Sequence, residues 1–165
     1  MPIIYLGKEV IYLRNQEFES AKKLSKKIIS IDPNYILGLY SLALSEFGLG
    51  NFDETLKLAN EGLQKFNNYS QYMVIKMMAL NKLGRLEEAK LLRDALNKRQ
   101  ETDLVPSMMF AQGEYYVGNM DGAISYLEQA YDETLDYSHS IQDSLLEKLN
   151  GNPRFDAIRQ KSGPA

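Results

Sequence analysis

The chain lacks cysteine altogether and has a single histidine, His139, among its 165 residues. Without cysteine, disulfides and thiolate chemistry are excluded, and the composition is compatible with a reducing compartment. No apolar run approaches the roughly 18 residues that indicate a membrane-spanning helix. The first nine residues lack a basic segment followed by a cleavage site, which disfavours a secretory signal. Cytoplasmic localisation is therefore expected.

Groups suited to catalysis or metal binding are also scarce. His139 lies between two serines, with no nucleophile signature nearby. No phosphate-binding loop is present, because each glycine is isolated and precedes a helical pattern without a strand before it. The acidic residues of segment 128–136 share one helix face and lack the shaped loop that a hard cation needs. The sequence predicts no enzyme, no metal site and no cofactor.

The net charge of −3 gives no reason to expect a nucleic-acid partner. Segment 104–137 has no lysine or arginine and contains Glu114, Asp121, Glu128, Asp132, Glu133 and Asp136. A solvated face and an acidic rim that steers a basic partner both fit this cluster. A basic patch consists of Lys22, Lys23, Lys26 and Lys27. It is either a solvated face or a contact surface for an anionic partner.

Three glycines, Gly50, Gly84 and Gly118, stand 34 residues apart, each opening a similar phrase such as Gly50-Asn51-Phe52-Asp53-Glu54-Thr55. A degraded copy begins one period earlier, at Gln16. Each copy has an apolar residue at the same position, namely Phe18, Phe52, Leu86 and Met120. Three residues later each copy has a small residue, namely Ala21, Thr55, Ala89 and Ala123. A fixed period of this length predicts a stack of helical hairpins.

Each repeat contains two amphipathic patterns separated by the glycine. Apolar residues recur at three- and four-residue steps on both sides, which is the period of an α-helix. The glycine is suited to end the first helix because it adopts the left-handed conformation without steric cost. The sequence predicts an all-α fold.

On these residues the chain resembles the tetratricopeptide repeat family over roughly its first 137 positions. The resemblance implies an α-α superhelix that forms one domain, 1–165. Its repeats span 2–35, 36–69, 70–103 and 104–137. A capping segment follows at 138–161 and includes an amphipathic helix over 140–149. Glu9 departs from the small residue expected in a first helix, which suggests looser packing there. Segment 152–159 is similar to the end of tetratricopeptide modules in larger bacterial proteins, which favours a bacterial module.

The family resemblance also implies a binding groove lined by the first helix of each repeat. The positions that match its concave face are mostly apolar or aromatic, and they are Leu6, Val10, Tyr40, Leu44, Phe47, Val74, Met78, Asn81, Met108, Gln112, Tyr115 and Tyr116. Leu6 and Val10 stand where chaperone-tail receptors place a Lys and Asn carboxylate clamp, so that clamp is absent. An apolar groove suits an extended peptide or an amphipathic helix of a protein partner.

The resulting prediction is a noncatalytic protein–protein interaction scaffold without nucleic-acid or membrane partners. Two alternatives use the same residues differently: the groove residues serve packing between hairpins, or the C-terminal tail folds over the groove. A homodimer through the first repeat is a third possibility, because no preceding repeat covers Ile3, Ile4, Tyr5 and Leu6. A small-ligand sensor is a fourth, and it requires a closed pocket.

Overall fold

The computed structural model describes residues 3–66, 69–99, 105–133 and 146–161. Within these ranges the chain forms helices and turns, and no strand. The helices are α1 (Ile3–Arg14), α2 (Phe18–Ile31), α3 (Ile36–Gly48), α4 (Phe52–Lys65), α5 (Ser70–Lys82), α6 (Leu86–Arg99), α7 (Ser107–Tyr116), α8 (Met120–Glu133) and α9 (Pro153–Lys161), with a 3₁₀ turn at Glu147–Leu149. The predicted all-α fold is confirmed.

The helices belong to two compact units, Met1–Arg85 and Leu86–Ala165, called here the N-terminal and C-terminal units. In the N-terminal unit each helix from α1 to α5 packs against the next, and α3 also contacts α1 and α5. In the C-terminal unit α6 packs against α7, α7 against α8, and α9 against α8. The single domain and the repeat boundaries stay predictions.

The turn inside each hairpin has the left-handed residue that the 34-residue period predicts. The Gly50 N–H donates to the Phe47 carbonyl at 3.0 Å and the Asn51 N–H to the Glu46 carbonyl at 2.9 Å, the bond pair of a Schellman cap. Gln16 adopts the same conformation with φ of 58° although it has a side chain. The degraded copy therefore makes the same turn, at a conformational cost that glycine avoids.

A buried ion pair connects neighbouring hairpins in the N-terminal unit. Glu46 of α3 accepts a salt bridge from Lys22 of α2 at 3.0 Å and a hydrogen bond from the Asn51 amide at 2.8 Å. The carboxylate is buried, so these contacts offset the loss of hydration that an isolated charge would suffer. The pair fixes α2, α3 and the turn after α3 relative to one another.

The C-terminal unit repeats this arrangement two periods later. Glu114 of α7 lies 68 residues after Glu46, and its carboxylate accepts bonds from Arg93 of α6 at 2.7 Å and from the Asn119 amide at 2.8 Å. Glu128 of the same acidic segment pairs with Arg154 of α9 at 2.7 Å. Two members of the predicted acidic cluster thus serve structural ion pairs.

The described part of the predicted capping segment packs within the C-terminal unit. Leu146, Leu149 and Phe155 are buried, and the Lys148 N–H donates a hydrogen bond to the Tyr115 hydroxyl at 3.2 Å. Residues 140–145, where the sequence predicts a helix, lie outside the described residues. The apolar side chains of this segment therefore cover part of the last hairpin.

Gly62 allows close packing between α4 and α5. The ring of the fully buried Tyr72 lies against it, so a Cβ at position 62 would stand 2.2 Å from the ring atom Cδ1. The Tyr72 hydroxyl donates to the Ile36 carbonyl at 2.6 Å, which joins α5 to the first turn of α3. Tyr72 therefore sets the position of α5 against α3, the helix that carries the α3 stripe described below.

Gly62→Ala should destabilise the protein by about 1–3 kcal/mol, because the added methyl group overlaps a ring that has no room to move. Gly7→Ala in α1 is the matched control, since a Cβ at position 7 would have no neighbouring atom within 4 Å and alanine favours helix by up to about 1 kcal/mol. Urea unfolding followed by circular dichroism measures both changes. Equal stability of the two variants would contradict the packing described for Tyr72.

Candidate functional site

An apolar stripe runs along one side of α3. Leu37, Tyr40, Leu44 and Phe47 recur at three- and four-residue steps and therefore share a helix face. Three of these side chains are half-buried, and Leu44 is 8% exposed. This set, called here the α3 stripe, contains no charged residue and contains three of the twelve predicted groove residues.

The other predicted groove residues of the N-terminal unit differ in how much surface they offer. Val10 of α1 is 37% exposed and Asn81 of α5 is half-buried, whereas Val74 and Met78 of α5 are buried. The side chain of Leu6 lies outside the described residues. Open surface at the predicted positions of this unit therefore belongs mainly to α1 and α3.

In the C-terminal unit, the predicted groove residues are enclosed. Met108, Gln112, Tyr115 and Tyr116 are all buried, as is every residue of α7. Tyr115 accepts its hydrogen bond from the C-terminal segment at Lys148, and burial raises the pKa of the Tyr115 hydroxyl. This contact agrees with the alternative in which the tail covers predicted groove residues, and it leaves α7 little surface for a partner.

Aromatic neighbours hold the two rings of the α3 stripe. Tyr40 meets Tyr69 and Tyr72 edge-on, with ring centroids 6.4 Å and 6.0 Å apart. The ring of Phe47 is tilted against Phe52 of α4 at 5.5 Å. Edge-to-face and tilted contacts of this kind favour defined ring positions. The stripe therefore presents its aromatic side chains in a fixed arrangement.

Glu9 lies on the opposite side of α1 from the exposed residues and is fully buried. The hydroxyl of Ser25 in α2 donates a hydrogen bond to Oε1 of its carboxyl group, and its Oε2 atom has no partner among the described residues. Burial raises the pKa of Glu9 above its ordinary value. Glu9 itself is enclosed, and looser packing of the first helix stays a prediction.

Other kinds of site have no support in the part of the chain that is described. Those residues include no group of three or more histidine, cysteine, aspartate or glutamate side chains able to hold a metal ion. Among them, no helix combines the length and apolar character needed to cross a bilayer. His139 lies outside the described ranges. The candidate site taken up below is the α3 stripe.

Consecutive hairpins with a left-handed turn residue every 34 positions define a tetratricopeptide-type helical repeat fold, as the sequence predicts. The chain is similar to TTC0263, a thermophilic tetratricopeptide repeat protein of Thermus thermophilus, at TM-score 0.61 and 15% identity over 90% of this chain and 81% of that one. It is also similar to MamA from Desulfovibrio magneticus RS-1, residue 41 to the end, at TM-score 0.56 and 15% identity over 99% and 97% of the two chains. No protein-family model and no curated protein sequence matches.

Glu9→Gln should stabilise the protein by about 1–3 kcal/mol at a pH where the Glu9 carboxyl is ionised, because the neutral amide can accept the Ser25 hydrogen bond without a buried charge. Because the pKa of Glu9 is raised in the folded protein, the folded state holds this proton more tightly than the unfolded state does. The contribution of Glu9 to the free energy of unfolding is therefore fully present at low pH and is lost as pH rises through the folded pKa. The advantage of the variant should therefore shrink towards pH 4.

Urea midpoints of the wild type and Glu9→Gln between pH 4 and pH 8 measure this difference. Glu61→Gln is a suitable control, because it makes the same chemical change at an exposed position of α4. A constant difference between Glu9→Gln and the wild type across the pH range would contradict a buried, perturbed carboxyl group.

Proposed function

We propose that this chain is a noncatalytic protein–protein interaction scaffold that binds an apolar peptide or amphipathic helix on the α3 stripe. The observation that carries the proposal is the uncharged α3 stripe, in which Leu37, Tyr40 and Phe47 are half-buried and Leu44 is buried between them. A partner helix with apolar residues at i, i+3 or i+4, and i+7 has the spacing to contact such a row.

The arrangement of the stripe favours binding for two physical reasons. The rings of Tyr40 and Phe47 are already held by neighbouring aromatic residues, so binding costs little side-chain entropy on this side. Aromatic side chains that bury most of their area often dominate the binding free energy of an interface. We therefore assign the anchoring role to these two residues and supporting roles to Val10 and Asn81.

The proposal narrows the predicted twelve-residue groove to the N-terminal unit. Met108, Gln112, Tyr115 and Tyr116 are buried, and a covered helix has no surface to give a partner without first being uncovered. Solved bacterial proteins share the fold, which supports a bacterial scaffold as part of the proposal. A cytoplasmic location is retained in the proposal and agrees with the absence of cysteine.

Phe47→Ser should weaken binding of a stripe-dependent peptide at least tenfold, because the largest apolar contact is removed while α3 keeps its buried side. The matched control is Leu91→Ser on α6, which removes another exposed apolar side chain (71% exposed) away from the stripe. Peptides selected from a random display library on the wild-type chain, then titrated by fluorescence anisotropy, provide the measurement. Circular dichroism checks that both variants are folded; equal affinities would contradict the proposal.

Homodimerisation through α1 is the second candidate. Val10 and Ile11 of α1 are adjacent large apolar residues that are 37% and 54% exposed, a surface that a second copy could cover. In this case the molar mass should double with concentration, and Ile11→Glu should restore the monomer. Light scattering after size exclusion, between micromolar and millimolar chain, tests this. A constant monomer mass for the wild type would rule the candidate out.

A further inference from the structure

The carboxylates on the first helices of the N-terminal unit all point inward. Glu9 of α1 and Glu46 of α3 are buried, and α5 has no acidic residue. Glu9 accepts a hydrogen bond from Ser25 and Glu46 is engaged by Lys22 and Asn51. Together, α1, α3 and α5 therefore expose no negative charge.

The same helices carry cations that the described residues leave without an acidic partner. They are Lys8 and Arg14 of α1 and Lys76 and Lys82 of α5, of which only Lys76 is half-buried and the other three are exposed. Arg14 and Lys82 stand 68 residues apart, two repeat periods, and are the last residues of their helices. Arg14 and Lys82 occupy the repeat positions equivalent to Gly48, the residue after Phe47 and the last of α3, and α3 contacts both α1 and α5.

Exposed acidic residues of this unit lie elsewhere. Glu19, Asp53 and Glu61 belong to α2 and α4, and Glu17 belongs to the turn before α2. The first helices thus combine an apolar centre with positive edges, whereas the second helices carry mixed charge. This separation results from the inward orientation of Glu9 and Glu46.

We infer that the segment bound on the α3 stripe is an acidic amphipathic helix, with aspartate or glutamate side chains flanking its apolar residues. Its carboxylates contact Arg14 on one edge and Lys82 on the other, while its apolar side chains cover Tyr40 and Phe47. Complementary charges at an interface rim raise the association rate and select the partner, and their effect weakens with salt. This inference rests on the proposed function and adds the chemistry of the partner.

A second copy of this chain fits the same surface less well. Symmetric pairing of first helices would bring Lys8 and Arg14 of one copy towards the same residues of the other. Like charges in such an interface are unfavourable, and no exposed carboxylate on these helices compensates them. An acidic amphipathic segment from another protein can cover the apolar centre with its apolar side chains and pair its carboxylates with the cations at the edges.

The test is a selection from a randomised 16-residue peptide library displayed on phage, carried out on the full chain. Wild-type selections should be enriched in Asp and Glu beside apolar residues spaced by three or four positions. The doubly reversed variant Arg14→Glu/Lys82→Glu should lose or invert this enrichment. The matched control is Lys23→Glu/Lys26→Glu, which makes the same charge change on α2, away from the stripe.

Affinities of the selected acidic peptides provide the quantitative test. They should fall at least tenfold in Arg14→Glu/Lys82→Glu, change little in the α2 control, and weaken as salt rises from 50 to 500 mM. Both cations also lie at helix C-termini, where positive charge stabilises the helix, so thermal unfolding is measured in parallel. If the reversed variant unfolds, Arg14→Gln/Lys82→Gln replaces it and should abolish the salt dependence.

The outcomes separate this inference from the proposed function. Peptides that lose binding in Phe47→Ser but show no acidic enrichment, or bind the reversed variant equally well, would overturn the inference alone. Recovery of no peptide that depends on Phe47 would overturn both. A wild-type dimer that Phe47→Ser dissociates would make a second copy the occupant and would also overturn the inference.

Discussion

The buried carboxylate of Glu46 is the contact on which the rest of the N-terminal unit depends. It joins Lys22 of the preceding hairpin, its own helix and the Asn51 amide of the following turn. Removing Lys22 or Asn51 would leave the buried Glu46 carboxylate with its desolvation penalty and fewer compensating contacts. The position of one hairpin on the next and the conformation of the turn are therefore stabilised together, and Glu114 does the same in the C-terminal unit.

This use of acidic residues inside the fold shapes the surface that remains outside. With Glu9 and Glu46 buried, the first helices of the N-terminal unit are left with apolar and cationic side chains. The positive edges of the α3 stripe are thus a consequence of the burial of these two carboxylates. In the C-terminal unit, α7 is enclosed and the C-terminal segment contacts Tyr115, so equivalent positions there serve packing.

The sequence predicted correctly those features that depend on a few neighbouring residues, such as the turns that end α1, α3, α5 and α7. The glycines at 50, 84 and 118 have positive φ, as a left-handed helix cap requires, and even Gln16 follows the period. The burial of Glu9 could not be read from the repeat, because it depends on contacts with another helix, such as that with Ser25. The groove residues show the same limit: Phe47 and Tyr115 occupy the same position two repeats apart, yet only Phe47 is left partly open.

Periodicity alone determined the helical-hairpin architecture. A 34-residue repeat with two amphipathic patterns buries its apolar faces by pairing its two helices and stacking on the neighbouring repeats. Tertiary structure decided which equivalent positions became surface and which became core. That outcome depends on the elements packed over each helix, and the C-terminal segment over Tyr115 lies outside the repeat. The surface charge was also decided by tertiary structure. Composition counts Glu9 and Glu46 as acidic residues, but both are buried and add no negative charge to the surface.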